Sequence, residues 1–363
     1  MMPTHSRISR GVTRRQHTGL TLVELLVALV LSLVVLGGLI QLFTSSRQGA
    51  RVVEGISRMQ DSGRFVMDTL AYDIRQAGFK GSCMQPVNVL LNLSGNTALE
   101  MFYDLDAAVR GWDDDGSATH GQTLTNYVAG TDVIMIRSAA VSAGLTASGN
   151  TPQHAANINL TGASGQAQGA IVLVSSPEGC DLFQNVSNAN ASNLNRGAAN
   201  GFTPGNLNPS GGTDCSAANA NCLSTQYDDR MEILFYRASI FYIGTGASGL
   251  PTLMRQTRTG NAQAAVTEEL VDGILNMQIL YGVDTSGDRE ADVFQRATSV
   301  SDWDDVVAVR MSLVAISSEP RLATEPQVLP VVTDSNTLTS ITVPDQRLGQ
   351  VFSSTVGIRN RLP

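Results

Sequence analysis

The chain has 363 residues, 42% of them hydrophobic but only 5% aromatic, and a formal net charge of −8. Four of its 24 basic residues and none of its 32 acidic ones fall in positions 1–19, so the remainder carries 20 against 32, a balance of −12. A body that acidic, with Lys80 as its single lysine, disfavours nonspecific nucleic-acid binding through phosphate contacts, and abundant Gly, Ala, Ser, Asn and Thr with few aromatics argue for β-structure and long loops rather than a dense α/β enzyme.

Arg7, Arg10, Arg14 and Arg15 precede a long apolar run. Basic residues on that side predict a cytoplasmic N-terminus and a translocated remainder. The run itself, GLTLVELLVALVLSLVVLGGLIQLF (19–43), contains one charge, Glu24. As a helix, Leu20–Phe43 would measure roughly 36 Å, enough to span a bilayer. An ordinary secretory signal has an apolar stretch of about 7–15 residues followed by a small-x-small cleavage site. Here the run is longer and no A-x-A site follows Phe43. A carboxylate in hydrocarbon costs roughly 2.5–3.5 kcal/mol on insertion scales, so Glu24 calls for a compensating partner.

Apolar periodicity continues beyond the span. Val52, Ile56, Met59, Val66, Leu70 and Ile74 form one stripe of an amphipathic helix, with Arg47, Arg51, Glu54, Arg58, Asp61, Asp68, Asp73 and Arg75 elsewhere around it. Gly78 is placed to stop it. A helix over 20–76 would be roughly 85 Å long. Gly37, Gly38, Gly49, Gly55 and Gly63 are poor helix formers, so bends or local melting are expected there.

After Gly78 the pattern turns to short strands and loops. TDVIMIR (131–137) and IVLVS (171–175) read as strands, and 185–221 reads as loop. RMEILFYRASIFYIG (230–244) and TLMRQ (252–256) predict a hairpin across GTGASGLP. That turn fits G-x-G-x-x-G literally, but a phosphate loop needs a helix to begin there, and Pro251 and a strand follow instead. TEELVDGIL (267–275) reads as a short helix leading into strand 276–284. Residues 304–317 alternate apolar and polar, as a strand with one buried face does, and a last strand is expected within 350–360.

Cys83, Cys180, Cys215 and Cys222 all follow the apolar run, and an even count in an exported domain reads as disulfides. Three connectivities are open; Cys215–Cys222 closing a short loop, leaving Cys83 for Cys180, is the favoured one. No C-x-x-C or nearby His supports zinc. In DTSGDREAD (284–292), Asp284, Ser286, Asp288, Glu290 and Asp292 alternate, a spacing that can wrap Ca²⁺. The sixth position is Arg289 rather than Gly and the twelfth is Gln295 rather than Glu, so a solvated turn is the better reading. WDDDGS (112–117) is a second acidic loop. His5, His17, His120 and His154 form no H-E-x-x-H, no G-x-S-x-G occurs, and Trp112 and Trp303 read as packing residues. No catalytic set is visible.

Residues 1–43 resemble the class III signal of type IV prepilins and pseudopilins: a basic leader, then Gly19, Leu20 and, at the fifth position after the glycine, Glu24. RMQDSGRFVMDTLAYDIRQAGFKG (58–81), LVDGILNMQILYGVDTSGD (270–288) and the final strand are similar to the PilW-type minor pilins of Gram-negative bacteria. The resemblance implies an α+β, type IV pilin-like fold, with a long N-terminal helix on an antiparallel sheet with large loops. It implies a leader (1–19) cut by prepilin peptidase between Gly19 and Leu20, and N-methylation of Leu20. It further implies a transmembrane and filament-core helix (20–43), an amphipathic continuation (44–78) and a periplasmic head (79–363) with a loop-rich insertion at about 138–225. Its expected partners are other minor pilins, the major pilin, the inner-membrane assembly platform and a tip adhesin. The role implied is structural: priming and assembly of pili for twitching, attachment and DNA uptake. The rival readings are a J-like pseudopilin of type II secretion, and an adhesin or calcium-responsive module on a pilin stalk.

Overall fold

The computed structural model describes residues 21–361 apart from 94, 115–122, 142–143, 199–200, 210–213, 217–219, 259–264 and 335–336. The chain forms two compact units, Met1–Val53 and Glu54–Pro363. Helix α1 (Leu22–Gln76) contributes to both.

In the first unit the helix is unbroken through Gly37, Gly38 and Gly49. The Ser32 hydroxyl donates to Ala28 O at 2.7 Å and the Thr44 hydroxyl to Ile40 O at 3.0 Å, so both polar groups are satisfied within the helix. The segment is long and apolar enough to cross a membrane.

In the second unit, α1 buries Gly55, Met59, Gly63, Val66, Leu70, Ala71 and Ile74, a stripe of helical spacing. Of the apolar positions expected on this face, Ile56 lies outside it and is exposed. Gly55 and Gly63 do not interrupt the helix. A Cβ at Gly55 would stand 2.7 Å from Leu322 Cδ1, and one at Gly63 would clash with the edge of the Phe352 ring. These glycines therefore admit side chains from the head rather than bend the helix. The helix ends at Gln76, and Gly78 follows with φ +70.

The remaining elements are β1 (Asn88–Val89), α2 (Thr97–Tyr103), β2 (Val109–Trp112), β3 (Val133–Val141), β4 (Asn157–Asn159), β5 (Ile171–Ser176), β6 (Gly179–Gln184), β7 (Asn193–Asn195), β8 (Glu232–Thr245), β9 (Pro251–Arg258), β10 (Val266–Asp272), β11 (Ile274–Val283), β12 (Val293–Gln295), β13 (Val306–Ile316), β14 (Val328–Asp334), β15 (Thr337–Thr342) and β16 (Gly349–Gly357). One sheet runs β1-β6-β5-β8-β3-β2, with β9 also on β8 and β10 on β9. Strand β8 is long enough to pair with β3 on one side and with β5 and then β9 on the other. A second sheet runs β12-β11-β13-β16. Apart from the parallel β1–β6 contact, the pairings are antiparallel. The main core joins α1 residues Val66, Leu70 and Ile74 to Ile134 and Phe241 of the first sheet and Met277, Val309 and Met311 of the second. The other face of the first sheet is covered by Phe102 and Tyr103 of α2 and by Leu91 and Leu105.

Two local expectations are corrected. TEELVDGIL is not a helix: Val266–Asp272 is a strand on β9, with a register shift between Glu269 and Val271. Local helix propensity yields there to the pairing offered by the neighbouring hairpin strand. Within 185–221, β7 pairs with β4, and Arg196 is buried, donating to the carbonyls of Ala155 and Asn221. The order in that stretch comes from polar contacts, which leave no apolar periodicity to read.

Candidate functional site

The N-terminus of α1 is capped by two residues, Thr21 and Glu24. The Thr21 hydroxyl accepts from the Glu24 amide at 3.3 Å. The Glu24 carboxylate in turn accepts from the Thr21 amide at 3.2 Å and from its hydroxyl at 3.3 Å. This is a reciprocal capping box, satisfying amides that an α-helix start leaves without partners. The T-x-x-E pattern at Thr21–Glu24 is the sequence signal of this cap. Glu24 is thus held at the head of the helix by a local bond and by the helix dipole, which favours negative charge there.

Beyond it the helix carries no charge as far as Phe43 and presents an apolar surface interrupted by Ser32 and Gln41, with Leu25, Leu26, Val27, Ile40, Leu42 and Phe43 all at least half exposed. Such a surface has no place in water. It requires lipid or other helices around it. Gly19 and Leu20, the expected cut and methylation site, lie outside the described residues.

In the head, Cys83 is bonded to Cys180 and Cys215 to Cys222. The first bond fixes the segment after α1 to β6 across a separation of 97 residues, and the second closes a loop of separation 7. Asp181, beside Cys180, is buried and accepts from the Tyr227 hydroxyl at 2.5 Å and the Ser224 amide at 2.8 Å. Burial raises its carboxyl above the usual range, against those hydrogen bonds.

The 284–292 loop turns its carboxylates onto its own amides. Asp284 accepts from Ser286, Gly287 and Arg289 at 3.0, 2.6 and 2.7 Å. Asp292 accepts from Thr285 and Ser286 at 2.7 and 3.0 Å, and the Thr285 amide holds its carboxyl below the usual range. Asp288 accepts from the Glu290 amide at 2.9 Å. Among the described residues no group of three or more His, Cys, Asp or Glu side chains converges on a point where a metal ion could sit.

The two sheets are joined by Asp132, which sequence reading passed over. Its carboxylate accepts from Ile279 N of β11 at 2.7 Å and from Asp114 N at 3.2 Å, and its own amide donates to Met277 O at 2.9 Å. Burial pushes its carboxyl up to about 7, against the Ile279 bond and with the nearby charge of Asp113. No sequence pattern marks this residue, because the strand it bonds in the other sheet lies far along the chain, with Ile279 147 positions away.

Residues 240–360 match the family Type IV Pilus-assembly protein W, and residues 14–40 match the prokaryotic N-terminal methylation motif. The second match covers Gly19, Leu20 and Glu24; the first runs from within β8 to just beyond β16. No curated protein and no solved structure matches the chain. The two matches support the resemblance read from the sequence, a PilW-type minor pilin of the type IV pilus, and the fold is the α+β arrangement it implies.

Proposed function

We propose that this pilin primes and helps assemble type IV pili, and that it acts structurally rather than catalytically. The observation that carries the reading is a carboxylate fixed at the head of an exposed helix that carries no other charge as far as Phe43, on a chain whose C-terminal third matches the pilus-assembly family. Pilin families are structural pilus components, and the methylation motif with its apolar helix fits an inner-membrane anchor.

Prepilin peptidase would cut between Gly19 and Leu20 and methylate the new amine. That amine is a cation within one helical turn of Glu24. In a filament core, Glu24 would be compensated by the amine of a neighbouring subunit. Pairing offsets the desolvation of both charges, whereas a missing partner leaves one charge buried alone. The apolar helices of other minor pilins and of the major pilin would cover the exposed surface of α1. The head would stand in the periplasm and then on the pilus. Calcium at 284–292 has no part in this reading.

The test is the intact mass and N-terminal sequence of the protein from its own membranes, with and without prepilin peptidase. A methylated Leu20 start that depends on the peptidase is the expected result. A start near Met1, or a cut after residue 43, would refute it. Deletion of the gene should abolish piliation; loss of type II secretion with pili intact would instead make the chain a J-like pseudopilin.

A further inference from the structure

A cavity of about 310 Å³ opens at the free edge of β2, lined by Arg110, Gly111, Trp112, Asp113, Thr298 and Trp303 among others. Among the described residues β2 pairs only with β3, so its other edge faces this space. The strand alternates, with Val109 and Gly111 inward and Arg110 and Trp112 together on the opposite, half-buried face. Asp113 builds a wall. Its carboxylate accepts from Ala297 N at 3.0 Å, Thr298 N at 2.8 Å and the Thr298 hydroxyl at 2.7 Å, and is buried beside Arg296. Trp303 packs edge-on against Tyr281, with ring centroids 4.8 Å apart, and is buried.

Arg110 is the unspent group. Its guanidinium lies over the Trp303 ring, 5.5 Å from the centroid, and among the described residues it has no hydrogen bond or ion pair. Burial lowers its pKa, with Asp104 acting against that through space. Arg137 stands on the same sheet face, two residues on from Met135, which pairs with Arg110. Arg137 is fully buried, and its Nε and Nη2 find no acceptor. Arg137 donates to Met101 O and does not line the cavity, so in this acidic protein Arg110 is the guanidinium that faces it with no carboxylate bonded among the described residues.

The groups facing the cavity define their complement. Arg110 offers only donors, in the fork that suits a carboxylate. Thr298 gives its hydrogen to Asp113, which leaves its oxygen lone pairs as acceptors for a ligand hydroxyl. Trp112 supplies an aromatic wall. The volume is at the low end for small-molecule sites, roughly 300–1,000 Å³, and exceeds what a single carboxylate group fills. We propose that this cavity binds a hexuronate, the terminal acidic sugar of a glycan, with its carboxylate on Arg110, a hydroxyl on Thr298 and a C–H face on Trp112. An aspartate or glutamate side chain carries neither the hydroxyl nor the apolar face. The proposal does not depend on the pilus reading.

The chain's only two tryptophans both line this cavity, so a ligand seated in it changes tryptophan emission while the fold is intact. The experiment titrates the full chain in detergent with galacturonate, galactose and N-acetylglutamate, following that emission. A saturable change with galacturonate is expected, with galactose weaker by about tenfold or more, the scale of a charge-assisted bidentate contact. Arg110→Gln should weaken galacturonate by about tenfold with the thermal unfolding midpoint unchanged. Should that variant not fold, Trp112→Leu keeps Trp303 as the reporter and should weaken galacturonate as well. No saturable change, equal binding of galactose, or wild-type binding by the folded variants would overturn the proposal. N-acetylglutamate binding as tightly as galacturonate would also overturn it, making the cavity a pocket for acidic peptide.

Discussion

Asp132→Asn should make the protein less stable in mild acid and more stable in mild alkali. Asp132 is 4% exposed, and burial raises its carboxyl from 3.8 to about 7. The folded state therefore holds this proton more tightly than the unfolded chain. Below about pH 4 both states are protonated and there is no penalty; between pH 4 and 7 stability is lost as pH rises; above 7 the loss is complete. A carboxyl moved from 3.8 to about 7 costs the folded state on the order of 4 kcal/mol at pH 8. The asparagine variant carries no charge, so this pH dependence should vanish. Its side chain can accept from only one of the two amides that Asp132 now serves, Ile279 N at 2.7 Å and Asp114 N at 3.2 Å. The other, facing an NH₂ group, would lose its partner at a cost of about 1–3 kcal/mol. The variant should then be less stable by about 1–3 kcal/mol near pH 3.5 and more stable by a similar margin at pH 8. Urea unfolding of both proteins, followed by emission of Trp112 and Trp303 in the head, measures this at the two pH values. Parallel pH profiles for variant and wild type would refute the assignment of the penalty to Asp132.

Gly63→Ala should lose stability, because the Phe352 ring occupies the place of the new methyl; overpacking at about 1–3 kcal/mol exceeds the roughly 1 kcal/mol gained in helix propensity. Gly49→Ala, with nothing within 4 Å, should keep that gain, and thermal unfolding of the pair separates the two effects. Removing the Cys83–Cys180 bond, which spans 97 positions, should cost about 2 kcal/mol more than removing Cys215–Cys222, which spans 7, on the chain-entropy account; denaturant midpoints of the two double-serine variants test it. Thr21→Val should weaken the helix start by about 1 kcal/mol through loss of the cap but leave piliation intact, whereas Glu24→Ala should abolish incorporation into filaments, read by immunoblot of sheared pili.

The parts of this protein written in consecutive residues were legible early. Four arginines, Gly19, Glu24 and a long apolar run lie side by side, as do the alternating residues of β13 and the turn residues between β8 and β9. The buried stripe of α1 was readable from its spacing, because one helix face repeats every three to four residues. What was misread depended on partners elsewhere. Strand β10 has helix-favouring residues and becomes a strand only because β9 presents an edge to it. The glycines of α1 looked like bends and proved to be the seats of Leu322 and Phe352, contacts across more than 250 positions.

By itself, then, the sequence determined that four arginines precede a span-length apolar run marked by one carboxylate, and that a β-rich segment holding all four cysteines follows. Those features are local: charge, hydropathy and period are properties of neighbouring residues. Only the tertiary structure decided that Asp132 is buried between two sheets, that Arg110 and Trp112 share a cavity with Thr298, and that Cys83 meets Cys180. A buried group's environment is set by residues far along the chain, and the free energy of burying a charge or leaving one unpaired depends on that environment rather than on the residue alone.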